Sequence, residues 1–463
     1  MRVHLIAIGG AVMHNLALAL QSIGHVVSGS DDEINEPSKS RLKAANLLPQ
    51  SMGWNDARVD ESIDCIILGM HARIDNPELI KAQALSLPVY SFPEFLYNHS
   101  KNKQRVVVGG SHGKTTITSM IMHILKECNV DFDFMVGSKL DGFDTMVQLS
   151  DAPLIILEGD EYLSSPIDRR PKFHLYHPHI SVLSGIAHDH INVFPTMELY
   201  REQFKIFIEA TNDQKGILIY NQDDIEVRNL VGQSTAEFLK LIPYSFFSHT
   251  IENGITVIND SNGNPIPLKF FGEHNLYNFS AAYHVCSSLG ISKDRIIKAI
   301  TSFKGAARRL ELLVQKQGCF LFRDFAHSPS KVQATLQSVR NQYPSHTLIA
   351  LFELHTFSSL NKDFLNQYAG TMNACDQALV YFNQETLKHK KLPPLEKSDV
   401  QEAFANTTII VKDSGNEVQQ FIDQLDFQNT VLLLMSSGTF DGLNIQSIIH
   451  RINALDEQEI TSS

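Results

Sequence analysis

One junction leaves this chain less freedom than any other part of it. The apolar run Arg105–Val108 ends in Gly109-Gly110-Ser111-His112-Gly113-Lys114-Thr115-Thr116, and Ile117–Leu125 follows with apolar residues at helical spacing. A buried strand, a glycine-rich turn and an amphipathic helix in that order make one unit of an α/β sheet. Such a unit needs further strands beside it and helices over both faces. The turn also carries chemistry. Its glycines let backbone N–H groups face inward around phosphate oxygens, and the start of the helix favours an anion. Lys114 brings a point charge to a transferred phosphate, and the Thr115 hydroxyl is placed to ligate Mg2+. Val108 stands where the general pattern has its first glycine.

The same alternation runs along the whole chain. Val3–Ile8, His25–Ser28, Cys65–Leu68 and Val89–Ser91 have strand character, and Leu16–Ile23 is spaced as a helix. The polar stretch Asn98–Arg105 has the composition of a linker. Leu154–Leu157 and Ile180–Leu183 extend the second set of strands, and the character changes again near Phe303. Beyond it Cys319–Phe322, Thr347–Phe352, Gln377–Tyr381 and Thr430–Met435 alternate with helical stretches. The 463 residues suit about three domains. The expected fold class is α/β: a Rossmann-like domain over residues 1–102, a P-loop ATPase-like central domain over 103–303 and a Rossmann-like C-terminal domain over 304–463. The polar tail Asp456–Ser463 is expected to fray.

Composition narrows the function. Hydrophobic residues at 43% and charged residues at 19% exclude a disordered or collagen-like chain. A net charge of −12 argues against a non-specific grip on nucleic acid or anionic lipid, which needs excess Lys and Arg. The five cysteines are odd in number and form no C-x-x-C pair, so no disulfide framework is expected and a reducing cytoplasm fits. No run approaches the ~18–20 apolar residues of a membrane span. The N-terminal apolar stretch is short and broken by glycine, as a strand entering a helix is, not as a cleaved leader.

Further constellations accompany the glycine turn. Glu158-Gly159-Asp160-Glu161 follows a strand, where a magnesium ligand beside a P-loop belongs. His174, His177, His179, His188 and His190 lack both a cysteine and an H-x-x-x-H spacing, which disfavours zinc. Gly272-Glu273-His274-Asn275-Leu276-Tyr277-Asn278 enters a helix with Asn275 and Asn278 on one face, suited to adenine or ribose. Arg308-Arg309 suits phosphates or carboxylates, and Asp324 ends a strand where it could accept ribose hydroxyls. Ala7-Ile8-Gly9-Gly10 is a degraded dinucleotide fingerprint whose glycines could admit a pyrophosphate. Lys388-His389-Lys390-Lys391 has the look of a solvated basic turn.

Taken in order, Gly110–Thr116, Glu158-Gly159-Asp160-Glu161, Asp189-His190, Gly272–Asn278, Arg308-Arg309-Leu310-Glu311 and Asp324-Phe325-Ala326-His327 resemble the Mur ligases of peptidoglycan synthesis. The resemblance covers essentially the whole chain. It points to the branch acting on UDP-N-acetylmuramate, where one ligase adds L-alanine and another, in recycling, reattaches L-alanyl-γ-D-glutamyl-meso-diaminopimelate. Asp160-Glu161-Tyr162, Asp168-Arg169-Arg170-Pro171-Lys172-Phe173 and the phenylalanine of Asp324-Phe325-Ala326-His327 resemble the recycling ligase.

The resemblance implies an ATP-dependent amide-forming ligase that uses Mg2+ and works through an acyl phosphate. By it, Gly110, Ser111, His112, Gly113, Lys114, Thr115 and Thr116 hold the ATP phosphates. Thr115 and Glu158 hold one Mg2+ and His190 a second. Asn275 and Asn278 contact the nucleotide, Arg309 reaches the γ-phosphate and Asp324 binds the ribose. Gly9 and Gly10 serve the UDP-sugar. Lys114, His190 and Arg309 are thereby the catalytic set. Apart from the resemblance, His327 lies close to Asp324 in sequence and is on that ground a candidate substrate-binding residue, the base that deprotonates the amine. The chain departs from the family where Ala7 replaces the first fingerprint glycine, His14-Asn15 a later glycine pair, and Ser328 the second histidine of a His-His-Pro motif. Phe352-Glu353-Leu354-His355-Thr356-Phe357 follows it only loosely. Lys205 stands where some members carry a carbamoylated lysine, which this branch typically lacks. The rival of a different class is a nucleotide-binding scaffold without catalysis.

Overall fold

A computed structural model describes residues 1–188, 193–234, 236–252, 254–303, 305, 310–406 and 408–455. The chain forms two compact units, Met1–Phe247 with Tyr277–Ser302, and Ser248–Leu276 with Phe303–Ser463.

The first unit holds two sheets. Strands β1 (Arg2–Ile6), β2 (Val26–Ser30), β3 (Cys65–Leu68) and β4 (Val89–Ser91) lie in the order β2-β1-β3-β4, all parallel. The second sheet is built from β5 (Gln104–Gly109), β6 (Asp133–Met135), β7 (Val147–Gln148), β8 (Leu154–Glu158), β9 (Ile180–Leu183), β10 (Ile217–Asn221) and β11 (Lys240–Tyr244). Their order is β11-β10-β9-β5-β8-β6-β7, parallel except for β7. Every residue of β8 and β9 is buried, as a strand covered on both faces by helices must be. This order decides where the chemistry sits. β5 lies between β8 and β9, with Val108 opposite Glu158 and Gly109 opposite Leu183. The loops after all three strands therefore open at one sheet edge.

The boundary expected near residue 102 marks a change of sheet but not of packing unit. One buried cluster runs from Leu5 of the first sheet and Leu16 and Phe92 of its helices to Val107 of the second sheet and Phe173 and Tyr200 of the helices on it. The stretch expected to be a linker is a clamp. The Lys103 ammonium donates to Asp133 Oδ2 at 2.6 Å and to the carbonyls of Ser150 and Ala152. Arg105, 2% exposed, donates to the carbonyls of Ser100, Tyr176 and His177 and lies over the Tyr97 ring. A buried guanidinium satisfied this fully fixes the backbone around it.

The second unit contains a six-stranded sheet: β15 (Glu311–Lys316), β16 (Cys319–Asp324), β17 (Thr347–Leu354), β18 (Gln377–Phe382), β19 (Ile410–Lys412) and β20 (Thr430–Met435). The order is β15-β16-β20-β17-β18-β19, parallel except for the β15–β16 hairpin. One face packs Phe322, Val332, Leu336 and Tyr368, the other Leu321, Ile349, Val418 and Ile448. The same unit includes β12 (Thr250–Glu252), β13 (Ile255–Asn259) and β14 (Pro265–Pro267), an antiparallel three-stranded sheet absent from the sequence-based expectation. Of its strands only Thr256, Val257 and Ile258 are buried, too few for a periodic signal. The unit's main segment starts at Phe303, and the earlier segment Ser248–Leu276 joins it: Phe271 packs edge-on against Phe322 at 5.3 Å in the core of this unit. All five cysteines are unpaired. Among the described residues no helix is long and apolar enough to cross a membrane.

Candidate active site

The glycine turn joins β5 to the helix Lys114–Glu127, as its sequence predicts. Two of its glycines are obligatory. Gly110 has φ +122° and a Cβ there would stand 2.3 Å from Ser184 Oγ; Gly113 has φ +76° and a Cβ would stand 2.2 Å from Asn278 Oδ1. Only glycine combines such a backbone with such close approach. The second contact also places Asn278 against the end of the turn. The backbone is held from the β9 side, where the Ser111 N–H donates to the Gly185 carbonyl and the Ser184 hydroxyl to the His112 carbonyl. His112 Nδ1 donates to the Ser111 carbonyl, and Thr116 is buried.

Three carboxylates surround the start of the helix. Lys114 Nζ donates to the Gly110 carbonyl and to Glu161 Oε2, both at 2.7 Å. Burial alone would lower the Lys114 pKa. The charges of Glu161, Asp160 and Glu158 outweigh it, so the pKa is raised and the ammonium is retained. The Thr115 hydroxyl donates to Glu158 Oε1 at 2.8 Å, and the Gly137 N–H to Glu158 Oε2 at 2.9 Å. A hydroxyl and a carboxylate side by side are oxygen donors for a hard divalent cation.

Glu161 and Tyr200 are partners that sequence reasoning left without a role. Glu161 is 1% exposed, and its Oε1 accepts from the Tyr200 hydroxyl at 3.1 Å. Tyr200 Oη lies 2.8 Å from Ser111 Oγ, which accepts the Ala187 N–H at 2.9 Å. Glu161 belongs to the acidic stretch Glu158-Gly159-Asp160-Glu161, a signal contained in the sequence. Tyr200 comes from the helix Met197–Asp213 and carries no local signal.

The histidine-rich stretch disperses. His174, 8% exposed, donates to the Gln203 carbonyl at 2.7 Å, and burial pushes its pKa down to about 4. His179 Nδ1 accepts the Arg105 N–H, His177 packs on Tyr97, and His188 donates to the Phe194 carbonyl. Among the described residues no three His, Cys, Asp or Glu side chains form a group that could hold a metal ion. Asp189, His190, Arg308 and Arg309 lie outside the described residues. Lys205 is on the outward side of its helix, 55% exposed and 3.9 Å from Glu202, while Tyr200 and Phe204 on the inward side are fully buried.

In the first sheet, Gly9 donates its N–H to Asp31 Oδ2 at 2.7 Å, and Gly10 is the N-cap of the helix Ala11–Ser22. Ala7, at the first position of the fingerprint, has a left-handed backbone with φ +67°. His14 and Asn15 are buried. His14 Nδ1 donates to the Gly10 carbonyl, and Asn15 Oδ1 accepts from Arg41 and from Thr145. Burial lowers the His14 pKa, the Gly10 bond opposes this and the Arg41 charge adds to it, so the ring is neutral at pH 7.

Asp31 shows the reverse. Burial raises its pKa to about 6, against the opposing Gly9 bond. An acid with a raised folded pKa contributes stability that is complete below its unfolded value and is lost as the pH rises through about 6. Asp31→Asn keeps an acceptor for Gly9 and removes this dependence. Between pH 4 and 7 the wild type is therefore expected to lose about 2 kcal/mol relative to the variant in urea unfolding. A constant difference across that range would contradict it.

In the second unit, Asn275 lines a cavity of about 120 Å3 of mixed polarity with Phe271, Phe322, Gln342 and Tyr343, and its Nδ2 donates to the Phe271 carbonyl. Asp324, 5% exposed, accepts the N–H groups of Leu310 and Ala326 at 2.7 Å each and the Thr335 hydroxyl. Its first task is to fix the chain where this sheet begins. His327 Nδ1 donates to the Phe325 carbonyl, and the His327 carbonyl accepts the Tyr368 hydroxyl. At the carboxyl ends of β16, β17 and β20, where open α/β sheets bind ligands, stand Asp324, Glu353 and Ser436. Buried Glu353 accepts from the Ser436 hydroxyl and the Phe440 N–H and lies 3.5 Å from His355. The Ser328 and Ser437 hydroxyls there are buried without a partner among the described residues.

A P-loop with its lysine between a backbone carbonyl and a buried carboxylate, and its threonine on a second carboxylate, defines a nucleoside-triphosphate-using protein. Comparison with known proteins identifies which. Residues 2–104 match the Mur ligase family, catalytic domain; 108–286 the Mur ligase middle domain; and 308–438 the Mur ligase, glutamate ligase domain. A UDP-N-acetylmuramate–L-alanine ligase of Caldicellulosiruptor bescii is 30% identical over 386 residues, which are 81% of this chain and 82% of that protein. A UDP-N-acetylmuramate–alanine ligase from Thermotoga maritima shares the fold with a TM-score of 0.69 at 20% identity, covering 98% of this chain and 100% of its own. A murein peptide ligase from Psychrobacter arcticus does so with a TM-score of 0.63 at 21% identity, covering 98% and 99%. The chain belongs to the Mur ligase family, whose members are ATP-dependent amide-bond-forming ligases.

Proposed function

We propose that this chain joins the lactyl carboxylate of UDP-N-acetylmuramate to the amine of L-alanyl-γ-D-glutamyl-meso-diaminopimelate. The observation that carries the phosphate chemistry is Lys114, charged and aimed along the glycine turn by Gly110 and Glu161. In this reading a carboxylate oxygen takes the γ-phosphoryl group of ATP and ADP leaves. The amine nitrogen then attacks the acyl carbon, loses a proton, and inorganic phosphate departs with the former carboxylate oxygen. Lys114 offsets the charge on the transferred group. Thr115 and Glu158 present oxygens that suit Mg2+, a cation that takes one or two protein ligands and completes its shell with phosphate and water. His190 is assigned as a further ligand, and Mg2+ when bound neutralises phosphate charge. Arg309 is assigned to the γ-phosphate, Asn275 and Asn278 to the adenosine, Asp324 to its ribose, and Gly9 and Gly10 to the UDP diphosphate. His327 is assigned to the amine substrate, together with Glu353, His355 and, at the same sheet edge, the Ser328 and Ser437 hydroxyls, which have no partner among the described residues. The five unpaired thiols support a reducing, cytoplasmic setting.

The peptide is preferred to L-alanine on the segment after the acidic turn. Lys172 pairs with Asp160, Asp168 with Arg170, and Leu163 bridges Pro171, so this stretch is folded onto the P-loop's own acidic turn. These are the residues that resemble the recycling ligase. A second reading, L-alanine as the amine, is favoured by the names of the relatives at 30–32% identity. Phosphate release with ATP, Mg2+ and UDP-N-acetylmuramate, offered each amine in parallel, separates the two. The tripeptide is expected to exceed L-alanine by about tenfold or more in kcat/KM. Release driven by alanine alone would install the second reading.

A further inference from the structure

Tyr200 lies too deep to meet a substrate, yet its hydroxyl is wired to the ATP site. It is fully buried, and its ring packs on those of His188, Phe194 and Phe204 at 5.7, 5.7 and 5.1 Å. A ring so placed needs no hydroxyl for packing, and a buried hydroxyl is costly unless paired. This one is paired on both sides, and proton counting fixes the direction of every bond. The Glu161 carboxylate only accepts, so the single Tyr200 proton goes to its Oε1. Tyr200 Oη must then accept the proton of Ser111 Oγ, and Ser111 Oγ in turn accepts the Ala187 N–H. The result is a one-way chain from Ala187 through Ser111 and Tyr200 to Glu161, whose other oxygen holds Lys114. It ties together the loops after β5, β8 and β9 through one residue from a separate helix.

We propose that Tyr200 is a positioning residue of the ATP step: its hydroxyl orients the Glu161 carboxylate against the Ser111 hydroxyl and thereby sets where the Lys114 ammonium stands. The proposal rests on the ligase reading for its substrate but acts on ATP alone. Without the hydroxyl, Glu161 Oε1 and Ser111 Oγ each lose a buried partner, and the carboxylate can turn away from Lys114. Gly9 and Gly10, the residues assigned to the UDP-sugar, are not part of this chain.

The test uses the full-length protein and ATP with Mg2+, with binding measured in the absence of any amine. Tyr200→Phe is expected to weaken ATP binding about tenfold, the scale of a lost hydrogen bond to a charged group. KM for ATP rises in parallel while KM for UDP-N-acetylmuramate stays unchanged. In a Lys114→Met background, with no ammonium to place, the same change is expected to cost less than about twofold, because coupling vanishes when one partner is gone. Ser111→Ala cuts the chain on its other side without touching the core ring and gives the same ATP-selective loss. Unchanged ATP binding in Tyr200→Phe, an equal loss in both backgrounds, or a parallel rise of all substrate KM values with lowered Tm would overturn the proposal. A wrong assignment of the amine leaves the binding result standing. A wild-type chain that binds no ATP would overturn both readings.

Discussion

Lys114→Met lowers ATP-dependent phosphate release by about a thousandfold, the loss expected when a preorganised charge at a transferred phosphate is removed. The substitution has a second consequence that the geometry makes explicit. Glu161 is 1% exposed and would remain buried with its cation gone, its Oε1 still accepting from Tyr200. Breaking one side of a buried pair costs about 3 kcal/mol. The single variant is therefore both inactive and less stable, and inactivity alone would be ambiguous. Lys114→Met combined with Glu161→Gln removes the stranded charge and is expected to recover most of the stability but none of the turnover. Urea unfolding and phosphate release on the same preparations separate the two effects. More than about a tenth of wild-type turnover in the double variant would exclude the role assigned to Lys114.

Glu78→Ala has the largest expected effect on stability. Glu78 has no exposed surface and joins β1 and β2 of the first sheet to the Asn55–Arg58 segment. One oxygen accepts from His4 of β1 and from the Ser30 hydroxyl of β2, the other from the Asn55 N–H and Arg58. Removing the carboxylate strands several buried donors at once, at a cost of about 4 kcal/mol. The pH dependence gives a second check. Burial would raise the Glu78 pKa, but the bonds from His4, Asn55 and Ser30 outweigh it and the pKa is lowered. A lowered folded value contributes stability that is complete above the unfolded pKa and lost as the pH falls through the folded one. Glu78 thus accounts for part of the acid limb, with a sign opposite to that of Asp31. Unfolding free energies at pH 3.5 and 6 should converge between wild type and variant at the lower value. A cost below about 1 kcal/mol at pH 6 would show that the network contributes no more than an ordinary surface bond.

What the sequence made legible is what depends on neighbours in the chain. The glycine turn, the strand before it and the helix after it are specified by contiguous residues, and Thr115 met Glu158 because β5 and β8 are adjacent. The partnership of Glu161 with Tyr200 joins residues 39 apart through a helix whose apolar spacing only asks for burial. Polarity alone made Asn98–Arg105 a linker, whereas Arg105 and Lys103 turn that polarity inward onto backbone carbonyls. Ala7 defied the glycine rule because the fold over-determines its backbone, holding φ at +67° in a buried residue. Asp324 was assigned from its strand-end position to a ribose; the structure adds two backbone N–H groups that the carboxylate already holds.

The most direct test of the central claim follows an oxygen atom. UDP-N-acetylmuramate labelled with 18O in its lactyl carboxylate is incubated with ATP, Mg2+, the tripeptide and the enzyme, and the released phosphate is analysed by mass spectrometry. Activation through an acyl phosphate transfers one labelled oxygen to each phosphate formed. Unlabelled phosphate, with both labelled oxygens retained on the muramyl group, would contradict ATP-dependent activation of that carboxylate by this chain.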